Sequence, residues 1–238
     1  MNPTLRSCAQ CGVPFASHPL LFEGKVLAVQ RFCPDCVTRI DQSQAEDRQR
    51  RESARLAEAW ERICPTLYRD TDPARLGCTP ESRAKVLNWQ YGPQGLLIGG
   101  PSRTGKTRLV YLLLSRLHHL ERRKVTALSS TAFSHEISAL FGEGGGRGEA
   151  FVNRLTRVPV LFIDDVGKGR LTERVEAEFF HVIETRTSER LPTILTTNLN
   201  GDAFAATWSA DRAQPLLGRF QEFFEVVTIL RAGAEVTP

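Results

Sequence analysis

The sequence predicts an α/β fold: a five-stranded parallel sheet between helices, preceded by a small cysteine-bearing module and a helical linker. Three observations carry this expectation. Five short apolar, partly β-branched runs, at 95–99, 124–128, 158–163, 193–197 and 224–230, alternate with helical segments, as parallel strands covered on both faces do. A glycine-rich segment directly follows the first run, and two Cys-x-x-Cys pairs stand near the start. The 238 residues, 41% hydrophobic and 24% charged, suffice for one α/β domain of roughly 150–200 residues and a small extra module. The expected division is a zinc-binding module at 1–39, a helical linker at 40–64 and the α/β domain at 65–238.

Lys plus Arg exceeds Asp plus Glu by 31 − 27 = 4, with a pI near 8.8, which permits a nucleic-acid partner without implying one. No run approaches the ~18 apolar residues of a membrane-spanning helix. The opening residues, Met1 to Arg6, lead straight into the first cysteine pair without a hydrophobic signal core. A cytoplasmic protein without membrane association is therefore expected.

Cys8 and Cys11 form the first pair, Cys33 and Cys36 the second, with residues 12–32 between them. Such pairs suit two knuckles presenting four thiolates to a tetrahedral zinc ion. The apolar residues between them, among them Val13, Phe15, Leu20, Leu21, Phe22, Val26, Leu27 and Phe32, are too few for an independent core, so a structural metal is needed. Two disulfides would require an oxidising compartment. His18 reads as a surface residue beside a set already complete with four sulfurs. Cys64 and Cys78 stand alone.

From Ile40 to about Ile63 the chain is highly charged and free of Gly and Pro, a helix signature, with an apolar stripe only at Leu56, Trp60 and Ile63. Pro65 ends it. Thr79-Pro80-Glu81 marks the next helix start, with Thr79 as cap, and that helix should reach about Trp89. The run from Phe141 to Glu149, rich in glycine, reads as a loop at the domain edge.

Gly100, Pro101, Ser102, Arg103, Thr104, Gly105, Lys106 and Thr107 fit G-x-x-x-x-G-K-[ST], between the strand Leu96-Leu97-Ile98 and a helix expected over 108–120. Successive backbone N–H groups of such a loop face phosphates, and the helix N-terminus adds partial positive charge. Lys106 is expected to reach the β- and γ-phosphates of ATP, and Thr107 to offer a ligand to Mg²⁺. The strand at 158–163 runs into Asp164-Asp165. Alternation along a strand would send their carboxylates to opposite faces, giving Asp164 to Mg²⁺ and Asp165 to the attacking water as base or orienter. Thr196-Thr197-Asn198 closes the next apolar run at the sheet's carboxyl edge, where Asn198 could bond the γ-phosphate or the lytic water.

These residues, together with Asp165-Val166-Gly167-Lys168, Thr197-Asn198-Leu199 and Leu217-Gly218-Arg219-Phe220, resemble an AAA+ ATPase with the P-loop NTPase fold. More narrowly they resemble the DnaC/IstB-like group of bacterial replicative-helicase loaders and transposition helper ATPases, over about residues 65–232. The resemblance implies ATP hydrolysis with Mg²⁺, a homo-oligomer when ATP is bound, and an arginine finger at Arg219 reaching the neighbouring subunit's γ-phosphate. It also implies a hexameric replicative helicase as partner, gripped by the zinc module, single-stranded DNA as a second partner, and no helical lid after the last strand. Arg186 and Arg212 are further candidates for intersubunit or phosphate contact. Two departures stand out. Ser102-Arg103 replace the Pro-Gly common in such loops, so Arg103 must take a backbone geometry easier for glycine, or extend over the nucleotide. Asp165 replaces the longer Glu of many relatives, which suits a slow switch. Lys168, Arg170, Arg174 and Arg147 are candidate DNA contacts, with few aromatic residues among them to stack bases. The Arg122-Arg123-Lys124 run reads as a solvated helix end, and His118-His119 face different ways and make no metal pair. A transposition helper, a non-catalytic zinc adaptor that binds nucleotide structurally, and a small-molecule kinase are the rival readings.

Overall fold

The computed structural model describes residues 4–23, 25–142, 146–168 and 171–232. Contacts divide the chain into two units, Met1–Ala57 and Glu58–Pro238. Among the described residues no helix is long and apolar enough to cross a membrane.

The first unit holds two antiparallel hairpins, β1 (Thr4–Ser7) with β2 (Pro14–Ser17) and β3 (Pro19–Phe22) with β4 (Lys25–Val29), followed by most of the helix α1 (Pro34–Ile63), whose residues 58–63 belong to the second unit. Its interior is small: Cys8, Phe15, Cys33 and Cys36, with Phe32 against them. The other apolar side chains of the hairpins face outward, with Leu20, Phe22, Val26 and Leu27 each at 58% exposure or more. The helix expected from Ile40 begins six residues earlier, because Pro34 has the fixed φ of a first helical position and no N–H to lose there. Cys36 thereby lies in the first turn of α1.

In the second unit the sheet order is β6-β7-β8-β5-β9, all parallel, with β5 (Gly95–Gly99), β6 (Val125–Ser129), β7 (Val160–Asp164), β8 (Thr193–Thr196) and β9 (Phe224–Thr228). Side chains alternate between two cores. Leu96, Ile98, Val160, Phe162 and Ile194 enter one; Leu161, Ile163 and Leu195 enter the other. The first core is covered by α3 (Pro80–Leu87) and α4 (Lys106–His119), with Trp60, Ile63 and Tyr68 packed on it; Tyr68 belongs to the short α2 (Thr66–Arg69). Thr79 caps α3 as expected, accepting from the Ser82 N–H. The second core takes α5 (Ser130–Gly142), α6 (Arg147–Arg157), α7 (Glu173–Ser188), α8 (Gly201–Ala205) and α9 (Ala210–Phe223).

Two expectations need correction here. The glycine-rich run is not one loop: α5 continues to Gly142 and α6 starts at Arg147, and only 143–145 lie outside the described residues. At Gly148 an added Cβ would meet the Phe141 ring at 2.3 Å, so a larger residue there would displace that ring. Arg186 is not an intersubunit or phosphate ligand. It is fully buried, donating to the carbonyls of Leu155 (2.8 Å), Val158 (2.7 Å) and Pro192 (2.6 Å) and to the Thr193 hydroxyl (2.8 Å), and burial draws its guanidinium down to about 10. It ties α7 to α6 and to the entry of β8.

Candidate nucleotide site and cysteine cluster

The phosphate loop runs from the carboxyl end of β5 into α4. Gly100 (φ +139°) and Gly105 (φ +89°) hold backbone geometry closed to most side chains, and at Gly100 an added Cβ would come within 2.5 Å of the Ile229 carbonyl. Arg103 takes φ +65°, so the first of the two ways to accommodate a non-glycine there is the one realised.

Lys106, the first residue of α4, uses all three of its N–H donors: to the carbonyls of Gly100 (2.8 Å) and Pro101 (2.8 Å) and to Oδ1 of Asn198 (2.7 Å). Burial lowers its pKa, opposed by the charges of Asp165 and Asp164. The Thr107 hydroxyl donates to the Asp164 carboxylate, 2.9 and 3.1 Å from its two oxygens. Burial raises the Asp164 pKa, while hydrogen bonds from Thr196 and Thr107 work against that rise.

Asp165 departs from the expected alternation. It lies just past β7 with φ +60°, so the two carboxylates do not part to opposite faces but line one cavity of about 570 Å³ with Lys106, Thr107 and Asn198. Both Asp165 oxygens are engaged: Asn198 Nδ2 donates to one, and Lys168 Nζ lies 3.2 Å from the other. Thr196, 1% exposed, organises both acids, since its hydroxyl donates to Asp164 and accepts from the Asp165 N–H at 2.8 Å. The sequence signal for this was present in the polar closure of β8, but the position was read only through Asn198.

The wall facing the loop is formed by Leu67, Tyr68, Arg75, Leu76 and Gly77, which no motif announces. Tyr68 is held by stacking on Tyr111 (4.9 Å) and lies under the Arg108 guanidinium (5.5 Å). The cavity thus joins cations, backbone donors and two carboxylates to an apolar wall, as a nucleoside triphosphate and a magnesium ion require. The Thr107 hydroxyl and Asp164 supply hard oxygen ligands, and the donor set fits the metal. A neighbouring cavity of about 540 Å³, lined by Leu97, Leu199, Phe204, Leu217, Phe220 and Val226 among others, has no ionisable side chain in its wall.

Arg219 does not line the nucleotide cavity. From α9 it reaches α7, donating to Glu184 Oε1 (2.7 Å) and the Thr187 hydroxyl (3.2 Å). Arg212 pairs with Glu176 (3.4 Å) and Arg174 with Glu178 (3.2 Å). Arg170 lies outside the described residues. Arg123 stands over the Tyr91 ring (4.0 Å), and buried His118 stacks on Trp60 (5.7 Å).

In the first unit, the four sulfurs of Cys8, Cys11, Cys33 and Cys36 lie within 4.8 Å of one another, with no disulfide between them, and exposed His18 is not among them. Tetrahedral zinc with Zn–S near ~2.3 Å needs sulfurs roughly 3.8 Å apart; Cys11 and Cys33 are 3.6 Å apart. Gly12 turns the first knuckle at φ +75°, its N–H bonding the Cys8 carbonyl (2.9 Å), and the Cys33 N–H points at the Cys8 sulfur (3.3 Å). Although burial works against it, backbone N–H groups of Cys33, Cys11 and Gln10 bring the Cys8 thiol down to about 6; burial and the neighbouring sulfurs push Cys36 up to about 12. Crowded thiols that cannot all ionise alone fit a divalent cation that would stabilise their thiolate forms together.

Sheet, loop and paired acids define the second unit as a nucleotide-binding domain of the P-loop class. Residues 96–227, more than half the chain, match the model of the ATPase family associated with various cellular activities (AAA), and the chain belongs to that family. Its fold is similar to that of a DnaC helicase loader (TM-score 0.58, 21% identity, 70% of this chain and 100% of that one). It is also similar to a putative primosome component from Streptococcus pyogenes serotype M3 (0.57, 21%, 75% and 98%). A replication initiator DnaA bound to AMPPCP and single-stranded DNA matches at 0.56 and 22%, over 69% of this chain and 51% of that one. At these identities the similarity is one of fold. None of the curated proteins compared with the sequence matches it.

Proposed function

We propose that the protein is an ATP-dependent loader of a hexameric replicative helicase, acting in DNA replication and using ATP binding and hydrolysis as a switch. The observation that carries the hydrolytic part is the convergence of Lys106, Asp164, Asp165 and Asn198 on one cavity. The loader assignment is supported by the similarity of fold to a DnaC helicase loader, all of whose solved chain is matched by 70% of this one.

In this reading the loop Gly100–Thr107 receives the triphosphate on its N–H groups, and Lys106 exchanges the Gly100 and Pro101 carbonyls for phosphate oxygens. Thr107 and Asp164 would hold Mg²⁺, which would supply positive charge against that developing on the phosphoryl oxygens. Asp165 orients and deprotonates the attacking water once Lys168 releases its second oxygen, and Asn198 holds the first. Arg219 of the partner subunit completes the site, so hydrolysis needs an assembly; its own Glu184 parks it until then. The zinc-bound first unit recruits the helicase, and single-stranded DNA is the second partner.

The test is hydrolysis and loading by the full chain with a hexameric replicative helicase and single-stranded DNA. Helicase-stimulated ATP turnover together with helicase deposited on a closed circular single strand is expected. Absence of hydrolysis under every partner condition would mean that nucleotide has only a structural role here.

A further inference from the structure

β6 is an edge strand of the sheet, and beside its start lies an open depression of about 600 Å³ between β6, α6 and the entry to β7. Its polar lining is Lys124, Thr126, Asn153, Arg154 and Arg157, with no carboxylate in the wall. Among the described residues none of these three cations is in an ion pair. Elsewhere in this domain Lys168, Arg174, Arg212 and Arg219 each have a carboxylate within reach.

The backbone that carries the cations is anchored. Phe151, Val152 and Leu155 anchor the inner face of α6 in the core, so Arg154 and Arg157, one turn apart, stand on its exposed outer face. Arg154 lies over the Phe151 ring (5.3 Å). The Lys124 carbonyl accepts from the Val160 N–H (3.2 Å), which pins the backbone beneath its ammonium group. Three like charges held together repel one another, and a polyanion relieves that repulsion.

We propose that this depression seats the phosphate backbone of a nucleic-acid strand and reads no bases. The donors stand around an open depression rather than inside an enclosed pocket, which leaves room for a passing chain. Two of the three cations are arginines, whose planar forks match phosphate oxygens. No aromatic side chain is in the lining to stack a base. Lys124 precedes β6 and Arg157 precedes β7, so the trough lies at the amino edge of the sheet, opposite the phosphate loop. Contact there leaves the nucleotide cavity untouched.

This inference rests on the nucleic-acid part of the proposed function. The test is fluorescence anisotropy of a labelled twenty-residue oligothymidylate with the full chain, titrated across salt concentrations. The trough variant carries Lys124→Gln, Arg154→Gln and Arg157→Gln; a charge-matched control carries Arg48→Gln, Arg51→Gln and Arg62→Gln. Three lost phosphate contacts should reduce the slope of log affinity against log salt by about 2 and weaken binding by about tenfold or more at 0.1 M salt. The control should stay near wild type, and basal ATP turnover should be unchanged in both. Equal affinity and slope for wild type and trough variant would overturn the inference while leaving the proposed function standing. No binding by the wild type would overturn the inference and the nucleic-acid part of that reading together. A trough variant that loses binding to labelled polyglutamate but keeps the oligonucleotide would replace nucleic acid with an acidic polypeptide.

Discussion

Asn198→Ala isolates the residue that joins the two halves of the candidate site. Its carbonyl accepts from Lys106 at 2.7 Å and its amide donates to Asp165, so one truncation frees both charged groups. Hydrogen bonds to charged groups contribute about 1.5–3 kcal/mol. Asn198 is exposed, and competition from water argues for the lower end. About 1.5 kcal/mol in the transition state corresponds to roughly a tenfold fall in kcat. Nucleotide binding should weaken less than about threefold, because the loop N–H groups and the Lys106 charge remain. Asn198→Asp conserves size but sets a third carboxylate against Asp164 and Asp165, and it should be slower than the alanine variant. Steady-state turnover read beside equilibrium binding of a fluorescent ATP analogue separates the two effects. If kcat for Asn198→Ala stays within twofold of wild type, the bonded chain from Lys106 to Asp165 has no part in turnover.

Lys106→Ala should abolish ATP binding by calorimetry, since it removes the ammonium group expected to meet the β- and γ-phosphates. Arg219→Ala should keep nucleotide binding and lose partner-stimulated hydrolysis; the fold should lose less than about 1 kcal/mol, because the Glu184 pair is partly exposed. Unchanged stimulated turnover would remove the finger assignment. Cys33→Ser should release zinc, measured by elemental analysis of the purified chain, and weaken helicase capture while basal hydrolysis persists; metal-free wild-type protein would contradict it. Arg186→Met leaves three carbonyls and a hydroxyl without their donor but no longer buries a charge, a net loss of about 3 kcal/mol that thermal unfolding should register.

The sheet was legible because its strands are buried on both faces and so read as unbroken apolar runs: the segments expected at 95–99 and 193–197 fall on β5 and β8 to within a residue. The phosphate loop was legible for a local reason, as glycine spacing dictates its backbone. The residues around it were less so. Leu67, Tyr68 and Leu76 reach the cavity because the segment after Pro65 folds back over the loop, and no motif in the sequence announces that path. Asp165 defeats strand alternation because the backbone leaves the extended region directly after Asp164, with φ +60° at Asp165. Arg186 looks like any helix arginine until α6 and the entry to β8 close around it, since two of its acceptors lie at Leu155 and Val158.

The first unit encloses Cys8, Cys33, Cys36 and Phe15 yet turns most of its other apolar side chains outward. When sulfur–metal bonds supply the cohesion, the outer positions of the two hairpins are relieved of any duty to fold the module. Leu20, Phe22, Val26 and Leu27 can then be exchanged wholesale, and a new complementary shape acquired, while the scaffold stays intact. Such a surface can diverge quickly even as the ATP-binding engine keeps its design.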